Sequence, residues 1–258
     1  MEKVGKIVSV EEGLRLTKHG NLRMPIFSIW FDDGFSGVRK AALPILEEYN
    51  STAASSVCSR FWTRKELNWR CKLSFLHYID GMRFLRSRLK KYGYKLSTSV
   101  KFFTMSNFTE DIVKEMDEVF QELVPVSVQK DSFRLFDSEK GLKELRKKGW
   151  VLANHTAAHY PVDQDSYIGK IGNQFSECET VFEEAFKEKS AFWAMPFDNT
   201  HHKNLHKMVS ILKKENNGRH LVFVQQRSNY PENVNQGIIF RISAPVCRGK
   251  EFIRHISK

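Results

Sequence analysis

Two adjacent carboxylates are among the residues of this sequence best suited to chemistry. Asp32 and Asp33 follow directly on the apolar run PIFSIWF, from Pro25 to Phe31, and precede Gly34. Adjacent side chains on an extended backbone point in opposite directions, so at a strand end one carboxylate can bind a metal ion while the other faces a bound water. The same residues are also typical of an ordinary turn, which is the alternative interpretation.

Two histidines form a second candidate site. His155 and His159 belong to the string His-Thr-Ala-Ala-His, which Tyr160 and Pro161 follow. Residues four apart meet on one face of a helical turn, and neutral imidazole is a suitable ligand for Zn, Co, Ni or Fe. Two solvated surface histidines are the alternative, but the position directly after a predicted strand favours a metal site. A third string, from Phe192 to Asp198, predicts an apolar strand that ends in a Pro-aromatic pair.

These residues require a scaffold that brings several strand ends together. A strand at 25–31, a helix at 37–49 and a strand at 52–58 form a βαβ unit, which predicts a parallel sheet or barrel with its active site at the carboxyl ends of the strands. The alternation resumes with further elements. We predict strands at 150–153, 191–194, 220–225 and 237–243, and helices at 138–148, 174–187 and 203–214.

Residues 59–136 interrupt this alternation with a basic, aromatic segment. We predict one helix at 74–92 and another at 109–123, which Thr109 caps, and we interpret the segment as a helical insertion within a single domain that spans residues 1–258. The basic residues concentrated between Arg60 and Lys101 could attract an anionic substrate. A solvated helix face is the alternative interpretation.

Composition restricts the function further. The chain has 258 residues and a formal net charge of +11, which favours a nucleic acid, an anionic membrane surface or a phosphate-bearing substrate as partner, although charge for solubility alone is equally compatible. The four cysteines have no CxxC spacing, and we expect free thiols. The beginning of the sequence is charged, and no apolar stretch reaches the length of a membrane span, so we predict a cytoplasmic protein without one.

Taken together, the motifs resemble those of the polysaccharide deacetylases, also called the NodB homology class or carbohydrate esterase family 4. The string from Trp30 to Gly34 resembles the family's TFDDG motif, and Asn154 to Pro161 resembles its NHTxxHP motif. The string WAMPFD, Trp193 to Asp198, is similar to the FAYPFG-like motif of one subgroup, and Arg241 lies in a strand similar to that subgroup's terminal Arg-Ile strand.

The resemblance implies both a fold and a reaction. The implied fold is α/β, a distorted (β/α) barrel of about seven strands. The implied reaction is metal-dependent hydrolysis of an N-acetyl, or other small acyl, amide on a sugar. Asp33, His155 and His159 would hold one divalent metal, most simply Zn, with Co, Ni or Fe as alternatives, and Asp32 would be the catalytic base. Phe197 and Arg241 are the residues we assign to substrate binding.

The sequence departs from the family pattern at two functional positions. The third motif lacks the arginine that orients the catalytic aspartate in many relatives, and Arg241 is a candidate to replace it. The family's general-acid motif, Leu-x-His, is matched poorly, because Ile253-Arg254-His255 lies in a predicted C-terminal helix. The acid is therefore unassigned among five histidines: His201, His202, His206, His220 and His255.

The expected substrate is an N-acylated, phosphate-linked or otherwise anionic sugar precursor of a bacterial surface polysaccharide, such as an O-antigen or capsule. We do not expect a nucleic-acid partner. The alternatives are a hydrolase of the same fold that acts on a non-sugar amide, and a catalytically inactive basic homologue that binds a glycan or nucleic acid.

Overall fold

The computed structural model consists of strands that alternate with helices along the chain. The residues that it describes are 5–20, 22–96, 99–100, 103–104, 107–161, 168–196, 202–215, 218–224 and 228–242. The strands are β1 (Lys6–Ile7), β2 (Ile26–Phe27), β3 (Ile29–Phe31), β4 (Ala53–Val57), β5 (Val151–Asn154), β6 (Phe192–Ala194), β7 (His220–Val224) and β8 (Ile238–Arg241).

Helices connect these strands. They are α1 (Val10–His19), α2 (Ser36–Glu48), α3 (Ser59–Trp62), α4 (Trp69–Tyr78), α5 (Met82–Lys91), α6 (Glu110–Leu123), α7 (Val126–Ser132), α8 (Glu139–Lys147), α9 (Ile171–Phe186), α10 (His202–Lys213) and α11 (Pro231–Asn235), with a 3-10 turn at Phe133–Leu135. No helix in the described part of the chain combines the length and apolar character needed to cross a bilayer.

In the part of the chain that the structure describes, the main sheet contains six parallel strands in the order β3-β4-β5-β6-β7-β8, so each of them pairs with its neighbour in chain order. The sheet curls into a half-barrel, which confirms the predicted α/β barrel class with six strands where about seven were expected. Strand β4 is buried throughout, as parallel strands covered on both faces are. The predicted strand at 25–31 is divided in two, because β2 pairs with β1 in a separate two-stranded sheet while β3 begins at Ile29.

One hydrophobic cluster contains residues from five strands of the main sheet. Small side chains, including Ala54, Ala153 and Ala194, pack there with Val222. Val10, from the first turn of α1, belongs to the same cluster. Small residues allow the curled strands to converge, and the helix covers the apolar surface that remains.

Where the structure describes residues 59–136, their elements are all helical, and most of their buried hydrophobic side chains share one cluster, with Trp69, Leu85, Phe108 and Met116 among its members. The prediction of one helix over 74–92 is wrong. Helix α4 ends at Tyr78 and α5 begins at Met82. Asp80 has a left-handed φ of 56°, and the Gly81 amide donates to the Leu76 carbonyl at 2.7 Å, which closes α4 before α5 begins.

Candidate metal centre

The two aspartates lie where the chain leaves β3. Asp33 has a φ of 70° and Gly34 a φ of 71°, so the backbone turns into the left-handed region instead of continuing as an extended strand. A side chain at position 34 would place its Cβ 3.1 Å from Val57 Cγ1, which favours glycine there. The turn brings Asp33 Oδ1 to 3.6 Å and Asp32 Oδ1 to 3.9 Å from His155 Nε2. Both carboxylates therefore face the histidine motif.

The two histidines meet as expected, but the predicted helical turn is wrong. Residues 155–160 form a loop in which Thr156 and His159 have φ values of 69° and 56°. The Asn154 side-chain oxygen accepts from the Thr156 amide at 2.9 Å, and the Thr156 hydroxyl accepts from the His159 amide at 3.1 Å. These two local turns compete with a helix and bring the imidazole centroids to 4.8 Å of each other.

Asp33, His155 and His159 provide a suitable set of metal ligands. One ligand atom from each lies within 4.8 Å of the others, and His159 Nε2 is 3.0 Å from Asp33 Oδ1. His155 Nδ1 lies 2.8 Å from the Ala194 carbonyl, which can only accept, so we assign the ring proton to Nδ1. The lone pair is then on Nε2, which is buried and has no hydrogen-bond partner among the described residues.

The charge states of these groups suit a metal ion. Burial lowers the pKa of His155, which keeps the ring neutral and able to coordinate. Burial alone would raise the pKa of Asp33, but the nearby His159 and His155 outweigh it, and the pKa lies below its ordinary value. One carboxylate and two histidine ring nitrogens form a donor set common for catalytic zinc.

Asp32 has different neighbours. Arg241 Nη1 lies 2.6 Å from Asp32 Oδ1, and the Ser56 hydroxyl donates a short hydrogen bond to the same oxygen. Burial alone would raise the pKa of Asp32, but Arg241, His155 and Ser56 together hold it well below its usual range. Asp32 is therefore ionised at neutral pH.

Trp30 contacts both partners of Asp32. Its indole Nε1 donates to the Ser56 hydroxyl at 3.2 Å, and the Arg241 guanidinium lies over its ring at 5.3 Å from the centroid. Arg241 Nε and Nη2 are buried and have no hydrogen-bond partner among the described residues. Arg241 thus contacts the carboxylate that the sequence predicts to be the catalytic base. Its Nε and Nη2 atoms can still donate hydrogen bonds to a bound molecule.

The other predicted site residues lie outside the described residues or away from this site. Phe197 and Asp198 are outside the described residues, as are His201, His255 and the side chain of His202. His220 begins β7 and therefore lies at the amino edge of the sheet, opposite the aspartates, and His206 is exposed on α10. The assignment of Phe197 to substrate binding stays a prediction.

Sequence reasoning missed three residues that support the site. Ser56 bonds to Asp32, Glu179 bonds to Asn154 at 3.0 Å, and the Trp69 indole donates to the His159 carbonyl at 2.9 Å. Ser56 could have been recognised as a polar residue within the buried strand AASSV. Glu179 lies 25 residues from Asn154 in the sequence, and Trp69 lies 90 residues from His159. Tertiary packing brings each pair together, so neither contact has a local sequence signal.

A protein-family model and several solved structures are similar to this chain. The family model described as polysaccharide deacetylase matches residues 19–215. No curated protein matches the chain. Among solved structures, a de-N-acetylase from Aggregatibacter actinomycetemcomitans has a TM-score of 0.59 at 13% identity, with coverage of 98% of this chain and 83% of that one.

Two further solved structures are similar in fold. A Streptococcus pyogenes deacetylase, PplD, in complex with acetate, has a TM-score of 0.56 at 13% identity and is covered over 79% of its length by 98% of this chain. IcaB from Ammonifex degensii has a TM-score of 0.56 at 12% identity, with coverage of 99% of this chain and 83% of that one.

Proposed function

Because the chain belongs to the polysaccharide deacetylase family, and is thus a hydrolase of the deacetylase type, we propose that it removes an N-acetyl, or another small acyl, group from a sugar. The observation that carries this proposal is the convergence of the Asp33 carboxylate with His155 and His159, within 4.8 Å, at the same strand edge as Asp32. Residues at the carboxyl ends of barrel strands carry the chemistry of such folds.

In this proposal Asp33, His155 and His159 hold one divalent metal, zinc. A zinc ion so bound supplies a water of lowered pKa and polarises the acyl oxygen. Asp32 lies beside the ligands and accepts the proton of the attacking water. Because its pKa lies well below its usual range, Asp32 is ionised at neutral pH and able to accept a proton.

Arg241 orients Asp32 in this proposal. Its Nη1 contacts the carboxylate oxygen, and the Trp30 ring lies against the guanidinium. A cation held at this position keeps Asp32 ionised and fixes its orientation. The remaining buried donors of Arg241, Nε and Nη2, are available to a hydroxyl or carbonyl group of a bound sugar. This is the way in which Arg241 would bind the substrate.

For the substrate we propose a phosphate-linked or otherwise anionic N-acylated sugar, a precursor of a surface polysaccharide such as an O-antigen or capsule. The net charge of +11 supports an anionic substrate. The cytoplasmic location stays a prediction.

A substrate panel tests the proposal. Zinc-loaded protein is offered an N-acetylated sugar oligomer, an N-acetylated sugar nucleotide and an N-acetylated amino acid, and acetate release is measured with Asp32→Asn as the control. We expect acetate from at least one of the sugars, more than about a hundredfold above the variant. Release from the amino acid alone would favour a non-sugar amide hydrolase. No release from any substrate, together with tight glycan or nucleic-acid binding, would contradict the proposal and favour the inactive homologue.

A further inference from the structure

A buried glutamate contacts β5, the strand that ends just before His155, and its neighbour β6. Glu179, on α9, is 7% exposed, and both its carboxylate oxygens are occupied. Oε2 accepts from Asn154 Nδ2 at 3.0 Å, Ser190 Oγ at 2.8 Å and Trp193 Nε1 at 3.0 Å. Oε1 accepts from the Ser190 amide at 2.8 Å and lies 3.2 Å from Arg219 Nη2. None of these contacts reaches a substrate or the candidate metal site directly.

Two of the donors, Asn154 and Trp193, lie opposite each other on neighbouring strands of the sheet. Strands β5 and β6 share a single register pair, Asn154 with Trp193. The neighbouring pairings are longer, with four positions between β4 and β5 and three between β6 and β7. Both members of the single pair donate to Glu179 Oε2, so the carboxylate reinforces the shortest pairing of the main sheet.

The residues that follow this pair hold the candidate ligand. His155 comes directly after Asn154, and Ala194 comes directly after Trp193. The Ala194 carbonyl lies 2.8 Å from His155 Nδ1. The Asn154 side chain, whose amide donates to Glu179, also uses its oxygen to accept from the Thr156 amide at 2.9 Å. The register at Asn154 and Trp193 therefore sets both the loop that carries His155 and the acceptor that orients its ring.

We infer that Glu179 is a positioning residue, which fixes β5 against β6 so that His155 keeps its Nδ1–H on Ala194 and its Nε2 directed at Asp33. This inference rests on the proposed function, in which His155 is a metal ligand. Groups that orient a metal-binding histidine determine metal affinity.

The arrangement requires a carboxylate. Burial alone would raise the pKa of Glu179, but the hydrogen bonds from Asn154, Trp193 and Ser190 outweigh it and keep the pKa below its ordinary value. An ionised glutamate is a pure acceptor, which matches a shell made only of donors. A glutamine at this position would turn an NH2 group toward one set of those donors.

Glu179→Gln tests the inference, with Glu115→Gln as the matched control. Glu115 is also a buried glutamate, 2% exposed, but it lies on α6, 3.7 Å from Arg88. The first measurement uses metal-free protein and follows the exchange of the His155 Nδ1 proton by NMR. The second measures the Kd for zinc alone, in competition with a chromophoric chelator.

We expect Glu179→Gln to speed exchange of the His155 proton at least tenfold and to raise the zinc Kd roughly ten- to a hundredfold. We expect Glu115→Gln to leave both within about twofold. If Glu179→Gln matches the unmodified protein in both measurements, or if Glu115→Gln raises the zinc Kd as much, the inference is wrong.

A milder variant covers the case in which Glu179→Gln does not fold. Trp193→Phe removes one donor to Glu179 but keeps a ring that can stack on Phe175, now 4.7 Å away between centroids. A zinc Kd raised about threefold or more supports the inference, and an unchanged Kd contradicts it. If the unmodified protein binds no zinc, the proposed function fails, whereas the exchange of the His155 proton still decides whether Glu179 positions that ring.

Discussion

At the scale of single residues, we propose different tasks for two adjacent aspartates because their surroundings differ. Asp33 Oδ1 lies near both imidazoles, at 3.0 Å and 3.6 Å, whereas Asp32 Oδ1 is contacted by Arg241 and Ser56. Asp33 therefore has the neighbours of a metal ligand. Asp32 has the neighbours of an oriented carboxylate that remains ionised. Chemically identical groups often take different roles in this way.

The two tasks predict different results for the same substitution. Asp32→Asn should keep zinc but lower kcat by roughly two to four orders of magnitude, because the base is lost. Asp33→Asn should instead weaken zinc binding, because a neutral amide is a poorer ligand than a carboxylate. Zinc content by mass spectrometry and acetate release distinguish the two. Near-normal turnover by Asp32→Asn would refute its role as base.

Arg241 predicts a shift in the pH dependence of activity. The arginine contributes to the low pKa of Asp32, so Arg241→Gln should raise that pKa. As the proposed base, Asp32 would act when ionised, so activity should be lost as pH falls through its pKa. The acid limb of the kcat/KM profile should therefore move to higher pH in the variant. An acid limb that does not move, measured at saturating zinc, would show that Arg241 does not control the charge of Asp32.

At the scale of elements, short left-handed turns at strand ends bring the donors together. Asp33, Thr156 and His159 all have positive φ values. The apolar runs before these turns predicted the strands, and the spacing of the histidines predicted their meeting. The spacing also indicated a helical turn, because four residues fit a helix equally well. Asn154 is the residue that indicates a turn instead of a helix, because an asparagine side chain can accept a hydrogen bond from the backbone two residues later.

Several cations of the basic segment, residues 59–136, form ion pairs with acidic side chains. Arg60 pairs with Glu66 and Glu177, and Lys72 pairs with Asp117 at 2.7 Å. Arg88 contacts Glu118 and Glu122. These cations stabilise the helices, which leaves the exposed lysines at the end of α5 as better candidates for substrate capture.

We predict that reversing Lys90 and Lys91 to Glu raises KM for an anionic sugar and flattens its salt dependence, with kcat little changed. Long-range attraction of this kind is screened over about 8 Å at physiological salt. The control is Lys147→Glu with Lys189→Glu, the same charge change next to the amino ends of β5 and β6. If both double variants have the KM of the unmodified protein at low and high salt, Lys90 and Lys91 belong to a solvated face.

At the scale of the whole molecule, the site joins the two edges of the sheet. Asp32 follows β3 and Arg241 ends β8, which are the first and last strands of the sheet, and their ion pair spans the opening of the half-barrel. The sequence predicts the alternation of strands and helices, because that pattern is local. The meeting of β3 with β8 depends on the curl of the sheet and could be anticipated only through the family resemblance. The pairing of Asn154 and Trp193 with Glu179 had no local signal.

Among the described residues, apolar side chains form four buried clusters that are separate from the polar candidate ligands, and a chain of this size buries enough surface to fold without a metal. We therefore predict that the double variant His155→Ala, His159→Ala keeps the circular dichroism spectrum of the unmodified, metal-free protein. Its Tm should stay within a few degrees of that protein. Unfolding of the double variant at room temperature would show that the site is structural.

Acetate release during a zinc titration tests the central claim most directly. Metal-stripped protein is mixed with the best N-acetylated sugar of the panel, and zinc is added in steps. The account predicts that release rises with zinc, saturates near one ion per chain and stays at background in the His155→Ala, His159→Ala variant. Release that is independent of zinc, or equal in the variant and the unmodified protein, would contradict a metal-dependent deacetylase at this site.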